Sequence, residues 1–349
     1  MSIKLRVTEE DERDKWDAMV EASPHGAIFH TWKWLKIMEK HTGSKLYPLI
    51  GLKGTTPIGV FPLFYQKKFL IKAVFSPPPN MAIHHLGPLL VDYDNLKQDK
   101  KESIFIEFQK QVDDFISSEL KPNYIHISSP SGLLDSRPFK WTGYQVEPMY
   151  NYLIDLSKGK DYVWGQFKKR LRQNINRAEK RGISIEEGSK EELEMIYDSF
   201  IARYEEQHKI PSLSKGYLLD LYEVFSPKNL NIFIAKYKEE FAGGIIDIYY
   251  KDKVVSWLGN AKANVDGISP NEIVQWEAIK WAIEHGFKYY EELGGNTPRL
   301  CPFKTKYNPN LSIYFSAKKY SSFFIKQLET VYRQMFKPVY EKLKSRTMK

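Results

Sequence analysis

Residues 57–76 read PIGVFPLFYQKKFLIKAVFS, and residues 241–260 read FAGGIIDIYYKDKVVSWLGN. Each is a pair of β-branched and aromatic runs joined by a short polar turn, the pattern of two antiparallel strands. Working outward, each pair sits in the same order of elements. In the first half, strands over 45–51, 57–65 and 70–76 precede a helix over 103–120 and a strand over 124–128. In the second, strands over 231–237, 240–250 and 253–259 precede an amphipathic helix over 270–285, with Ile273, Trp276, Ile279 and Ile283 inward, and a strand over 289–293. Each half then carries a loop with Pro-Phe-Lys (Pro138, Phe139, Lys140; Pro302, Phe303, Lys304) and a closing strand, over 150–156 and 311–317. The match argues for an internal repeat. The fold class is α+β with mixed sheets, and the expected domains are 1–160 and 161–349.

Composition agrees with two globular domains. The chain has 349 residues, 42% of them hydrophobic and 14% aromatic, too many for one typical core. One cysteine, Cys301, gives no disulfide framework, and no Cys/His spacing suggests a metal. Cys301 reads as a buried thiol. No signal peptide and no membrane-spanning run is visible, so the expected location is cytoplasmic.

The formal charge is +9, and its placement is uneven. Residues 164–182, WGQFKKRLRQNINRAEKRG, carry seven bases and one acid; residues 316–349 carry nine bases and two acids. The remainder of the chain is slightly acidic. In 164–182, Trp164, Phe167, Leu171, Ile175 and Ala178 line one face of an expected helix, and Gly182 fits its C-terminal cap. A helix over 321–345 is expected to turn Phe324, Leu328, Val331, Met335 and Val339 to one side, with a kink at Pro338. The two basic patches suit an anionic ligand: a phosphorylated precursor, a lipid headgroup or an RNA.

The repeated order of elements resembles the N-acetyltransferase-like (GNAT) fold. The order of particular motifs goes further. These are R-x-x-I-x-R-A-E-K-x-G (Arg172 to Gly182), G-G-I-I-D-I (Gly243 to Ile248), W-E-A-I-K-W-A-x-x-x-G (Trp276 to Gly286), E-L-G-G (Glu292 to Gly295) and P-F-K (Pro302 to Lys304). With F-H-T-W-K-W (Phe29 to Trp34), they resemble the Fem-type aminoacyltransferases of the methicillin-resistance-factor superfamily, over about residues 10–320. The resemblance implies two tandem GNAT-like domains with a central cleft. It also implies transfer of an aminoacyl or acyl group to an amine, as in peptidoglycan bridge formation on a cell-wall precursor. The chain lacks the long heptad insertion that some wall enzymes use as a coiled-coil arm.

Amide formation from an activated ester needs a neutral amine and donors for the developing oxyanion. By the resemblance, Lys304 lies near the transfer site, where its charge would stabilise the oxyanion or the leaving group. The plainer reading is a lysine paired with Glu291 or Glu292. Phe303 would offer its backbone carbonyl to the attacking amine. Glu292 would orient or deprotonate that amine, or pair with Lys304 or Arg299. Lys36, Arg170, Arg172 and Arg177 are the phosphate candidates; Lys36 and Arg177 match best the family's diphosphate ligands. Asn260 and Gln275 are candidates for lining the second-domain site, whereas core packing explains Trp257 and Trp276.

No tightly bound cofactor is expected. The co-substrate is an aminoacyl-tRNA or an acyl-CoA, and residues 259–272 lack the Q/R-x-x-G-x-G/A spacing of an acetyl-CoA pyrophosphate loop. The acceptor is a phosphorylated small molecule or a lipid-linked one, with tRNA and a peripheral membrane surface as further partners. The alternatives are an acyl-CoA-dependent N-acetyltransferase and a non-catalytic module that binds RNA or an anionic membrane.

Overall fold

The structure is a computed structural model and describes residues 2–206, 213–259, 264–265 and 267–331. The first elements are β1 (Ile3–Val7), α1 (Arg13–Ala22), α2 (Trp32–Thr42), β2 (Lys45–Lys53), β3 (Thr56–Lys68), β4 (Ile71–Ser76), β5 (Leu89–Leu90), α3 (Gln98–Phe115), β6 (Tyr124–Ser128), α4 (Arg137–Trp141) and β7 (Gln145–Asp155). Next come α5 (Lys160–Gln166), α6 (Lys169–Lys180), β8 (Ile183–Glu187), α7 (Lys190–Glu206), α8 (Lys215–Phe225), β9 (Leu230–Tyr237), β10 (Glu240–Tyr250) and β11 (Lys253–Gly259). The last are α9 (Pro270–Glu284), β12 (Tyr289–Glu292), α10 (Cys301–Lys304), β13 (Asn310–Tyr320) and α11 (Phe323–Val331).

The chain divides into two compact units. Among the described residues, unit 1 draws on 2–149 and 313–331, and unit 2 on those of 150–312. In unit 1, β1, β2, β3 and β4 pair antiparallel in that order, β6 joins β4 in parallel, and β13 joins β6 antiparallel. In unit 2, β8, β9, β10 and β11 pair antiparallel, β12 joins β11 in parallel, and β7 joins β12 antiparallel. Both units therefore repeat one plan: an antiparallel meander, a helix, and a strand laid parallel to the last strand of the meander. Strands β1 and β8 are short edge strands that the hydrophobic pattern did not announce.

Period-2 alternation divides the faces of the second sheet. Ile245 of β10 joins a core with Phe233, Val254, Leu171, Ile175, Ile273, Trp276 and Ile279, so α6 and α9 cover that face. Its neighbour Gly244 faces α7. A Cβ there would lie 2.7 Å from Ile196 Cδ1 and 2.9 Å from the Phe233 carbonyl oxygen, so the missing side chain is what seats α7 against the strand. In unit 1, α3 supplies Phe105, Phe108 and Val112 to a core with Leu49, Phe61, Leu63, Val74 and Ile127.

Three expectations change. The helix expected over 164–182 is two helices, α5 and α6, broken at Phe167, whose backbone is extended. The break has a cause: the Lys168 N–H donates to the Lys306 carbonyl at 2.9 Å rather than into a helix, and the Phe167 ring is fixed between Trp276 and Tyr307. Helix α9 is not simply amphipathic; it buries Glu272, Val274, Gln275 and Ala278 as well as Ile273, Trp276 and Ile279. The Pro-Phe-Lys triplets are not loops. Each forms a short helix, α4 or α10, with its proline in the first turn, where the missing N–H costs nothing. The remainder of the helix expected over 321–345, with Met335, Pro338 and Val339, lies outside the described residues beyond Val331.

Ile175, fully buried on α6, tests this packing. Ile175→Ala is expected to destabilise unit 2 by about 2–5 kcal/mol, whereas Arg170→Ala on the exposed face should change stability by less than about 0.5 kcal/mol. Urea unfolding midpoints check both.

Candidate functional site

The site grows from the short strand β12. Its sequence YYEE points Tyr290 and Glu292 to one face and Glu291 to the other. On the second face Glu291 accepts from Asn151 Nδ2 at 2.9 Å and pairs with Lys253 at 3.2 Å. On the first face, Glu292 is 1% exposed and meets the Lys304 ammonium at 3.1 Å. Gln275 of α9 flanks the same carboxylate. Burial pushes the Glu292 carboxyl up, against the opposing pull of Lys304 and Gln275.

One turn of chain brings Lys304 there. After β12, Gly294 takes φ +94, and a Cβ on Gly295 would lie 2.6 Å from the Tyr150 carbonyl oxygen. The chain thus closes against β7 before α10 turns Lys304 back to Glu292. Residues on this path line an open cavity of about 760 Å³: Tyr150, Lys168, Gly295, Cys301, Pro302 and Thr305. Cys301 is half-buried rather than fully buried, with its Sγ 3.4 Å from the Thr297 carbonyl oxygen. Contact with Cys301, and burial after it, push the Tyr152 phenol up to about 12, so it remains a neutral O–H at physiological pH.

A second buried acid stands behind the pair. Asp247, on β10 at a register shift in its pairing with β11, accepts from the Tyr290 hydroxyl at 2.8 Å. Complete burial, with the charge of Glu292 adding to it, raises its pKa to about 8. Asp247 is therefore protonated at neutral pH, whereas Glu292 faces the Lys304 ammonium. A third acid, Glu272, sits in the first turn of α9. Its side chain is 3% exposed and takes Lys306 on one oxygen and Asn174 Nδ2, at 2.8 Å, on the other. This fastens α6 to α9.

The candidates from sequence divide accordingly. Lys304, Glu292 and Gln275 come together. Phe303 packs its ring on the core at 5.8 Å from Tyr307, with the Lys306 ammonium 5.3 Å from its centroid. Its carbonyl already faces the Thr305 N–H. Arg170 and Arg177 are exposed on α6, Arg177 reaching only Asn174 at 3.4 Å. Arg172 is half-buried, and its shielded Nε has no hydrogen-bond acceptor among the described residues. Among the seven bases of 164–182, Lys168 lines the cavity. Lys36 belongs to unit 1, exposed on α2 and paired with Glu39. Asn260 lies outside the described residues. Asp247, Glu272, Lys306 and Tyr152 were not singled out from sequence. A lone acid inside the apolar run GGIIDIYY was the visible signal for Asp247.

Unit 1 lacks the arrangement. Parallel pairing sets Ser256 opposite Glu292 in unit 2 and Ser76 opposite Ile127 in unit 1. Isoleucine thus stands where unit 2 has its carboxylate, and Lys140 at the end of the first triplet is exposed.

Comparison with known proteins agrees. The acetyltransferase (GNAT) domain family matches residues 165–305, which hold the whole cluster. The crystal structure of FemX superposes with a TM-score of 0.67 at 15% identity, covering 90% of this chain and 97% of that one. A tandem GNAT protein from the clavulanic acid biosynthesis pathway gives 0.51 at 8% identity, covering 92% and 99%. The chain has the tandem GNAT fold. The fold is shared as well by L-PGS from Bacillus licheniformis, with a TM-score of 0.55 at 14% identity over 94% of this chain and 98% of that one. No curated protein matches the chain in sequence. The GNAT match and these neighbours together point to acyl transfer as the class of chemistry. Among the described residues no helix is long and apolar enough to cross a membrane.

The raised pKa of Asp247 sets a pH signature. Its carboxyl is neutral in the folded state up to about 8 but ionises near 4 in the unfolded chain. Between those values the folded state holds the extra proton, so stability falls as pH rises through that window and levels above it. Asp247→Asn keeps an acceptor for Tyr290 and removes the proton. Urea midpoints from pH 5 to pH 9 should decline more steeply in the wild type than in the variant; parallel curves would show an ionised Asp247.

Proposed function

We propose that the protein transfers an aminoacyl group from an ester donor to the amine of a phosphorylated or lipid-linked acceptor, and that unit 2 is where the transfer occurs. The observation that carries this reading is the Lys304 ammonium, 14% exposed and held 3.1 Å from buried Glu292, in a short helix whose Cys301, Pro302 and following Thr305 line the cavity. As the amine attacks, the new C–N bond forms and negative charge develops on the carbonyl oxygen. The ester C–O bond then breaks, the amine gives up a proton, and the leaving oxygen gains one. A cation kept out of water is worth most against that transient charge. Glu292 acts as a positioning residue that fixes the ammonium. Asp247, by staying neutral, leaves the cation's field unopposed by a second anion.

The choice of donor rests on α9. A pyrophosphate cradled at a helix N-terminus uses free N–H groups and the positive end of the helix dipole. Here the first turn of α9 already holds the Glu272 carboxylate, itself engaged by Lys306 and Asn174. An acid at that end speaks against a pyrophosphate such as that of coenzyme A. An aminoacyl ester on a polyanionic carrier, an aminoacyl-tRNA, fits the exposed cations of α6 better. We assign Lys168, Arg170, Arg172 and Arg177 to phosphates of donor or acceptor.

The decisive variants separate chemistry from stability. Lys304→Ala strands a buried carboxylate, a change that typically costs about 3–5 kcal/mol. Adding Glu292→Gln removes the stranded charge and should restore stability. Turnover should stay depressed by roughly 10²–10³ in both variants, measured by mass spectrometry of the product with aminoacyl-tRNA and acyl-CoA donors. If the double variant regains turnover along with stability, Lys304 is a structural partner only. Arg177→Ala should instead raise the acceptor KM, with an effect that fades as salt rises.

A further inference from the structure

Unit 1 carries a feature that the transfer chemistry leaves unused. The β3–β4 hairpin turns at Phe69 and Leu70, which are 97% and 91% exposed. Phe69 also holds a φ of 53°. Hairpin tips in water favour Gly, Asn or Asp at such a position. Here two large apolar side chains stand at the tip, flanked by Lys67, Lys68 and Lys72, and no acidic residue occurs between Glu39 and Asp92.

A second exposed apolar group leaves the same end of the sheet. The Lys72 N–H donates to Asn123 Oδ1 at 2.9 Å. The Asn123 N–H donates to the Lys72 carbonyl at 2.7 Å, and the Ser321 N–H to the Asn123 carbonyl at 2.9 Å. Asn123 therefore ties the base of the hairpin to the start of α11. That helix opens with Phe323 and Phe324, 74% and 67% exposed, and it buries none of its residues. Lys121, two residues before Asn123, is exposed as well.

We infer that this end of unit 1 docks on an anionic lipid bilayer. Phe69, Leu70, Phe323 and Phe324 would enter the boundary between headgroups and acyl chains, while Lys67, Lys68, Lys72 and Lys121 meet lipid phosphates. Charge selects this occupant. A second copy of the chain, paired about a two-fold axis, would set lysine against lysine. A nucleic acid would engage the lysines and leave four large apolar side chains in water. The inference deepens the lipid-linked acceptor proposed above but rests on unit 1 alone, so failure of the transfer assay does not touch it.

Flotation of the full chain tests it, with vesicles of phosphatidylcholine alone and of equal parts phosphatidylcholine and phosphatidylglycerol. The wild type is expected to float with the mixed vesicles and poorly with the neutral ones. Phe69→Ser combined with Leu70→Ser should weaken binding roughly tenfold or more. Lys67→Glu combined with Lys68→Glu should abolish the preference for anionic lipid, and salt should mimic that change. All four side chains are exposed, so near-UV circular dichroism and unfolding midpoints should match the wild type. Absence of flotation on the mixed vesicles would overturn the inference, as would variants that float like the wild type. So would a dimer in analytical ultracentrifugation that the Phe69→Ser, Leu70→Ser variant dissolves without any vesicle binding, which would assign the surface to a second copy.

Discussion

A carboxylate buried at the end of a strand needs a cation or a proton, and in unit 2 that need fixes the site. Glu292 is 1% exposed. A lone ionised carboxylate in such a place is far too costly to keep. Lys304 meets it, and for Lys304 to arrive the chain must turn sharply at Gly294, close on Tyr150 at Gly295, and wind α10 back toward β12. Gly295, Cys301 and Pro302 on that path line the cavity together with Tyr150 and Lys168. The same constraint explains Asp247. With Lys304 engaged by Glu292, the second buried acid keeps its proton, with a pKa raised to about 8.

The duplicated plan makes the asymmetry informative. Both units build a meander, a helix, a parallel strand and a Pro-Phe-Lys helix. On the strand parallel to the meander, unit 2 places Glu292 where unit 1 has Ile127. A core position with no ionised group needs no partner, so Lys140 is left in solvent. Unit 1 instead differs at its periphery, where a lysine-rich, acid-free stretch ends in an exposed apolar hairpin.

Much of the fold was legible because its signals are local. The meanders, α3, α9 and the apolar stripe of α6 follow from periods of two and of 3.6 residues. The repeat followed from their order. What escaped depends on contacts distant in sequence. The break at Phe167 comes from the Lys306 carbonyl, and the all-round burial of α9 from α6 on one side and the sheet on another. For the site, Lys304 and Glu292 were named separately, with their pairing as one option. The depth of that pair was not legible, since a loop was expected where α10 forms. Asp247 was hidden inside a strand read as core, and Glu272 inside a helix start, where an acid is usual for the dipole alone. Their roles depend on Tyr290, Lys306 and Asn174, 34 to 98 residues away along the chain.

The most direct measurement is a crystal structure of the full chain soaked with a non-hydrolysable 3′-aminoacylamido-adenosine, an analogue of the ester end of a charged tRNA. Density for the aminoacyl group should lie in the unit 2 cavity, its carbonyl oxygen within hydrogen-bond distance of Lys304 Nζ and its adenosine toward Lys168. Density at the N-terminus of α9, or at the Lys140 helix of unit 1 with the unit 2 cavity empty, would contradict the assignment of the buried Glu292–Lys304 pair as the transfer centre.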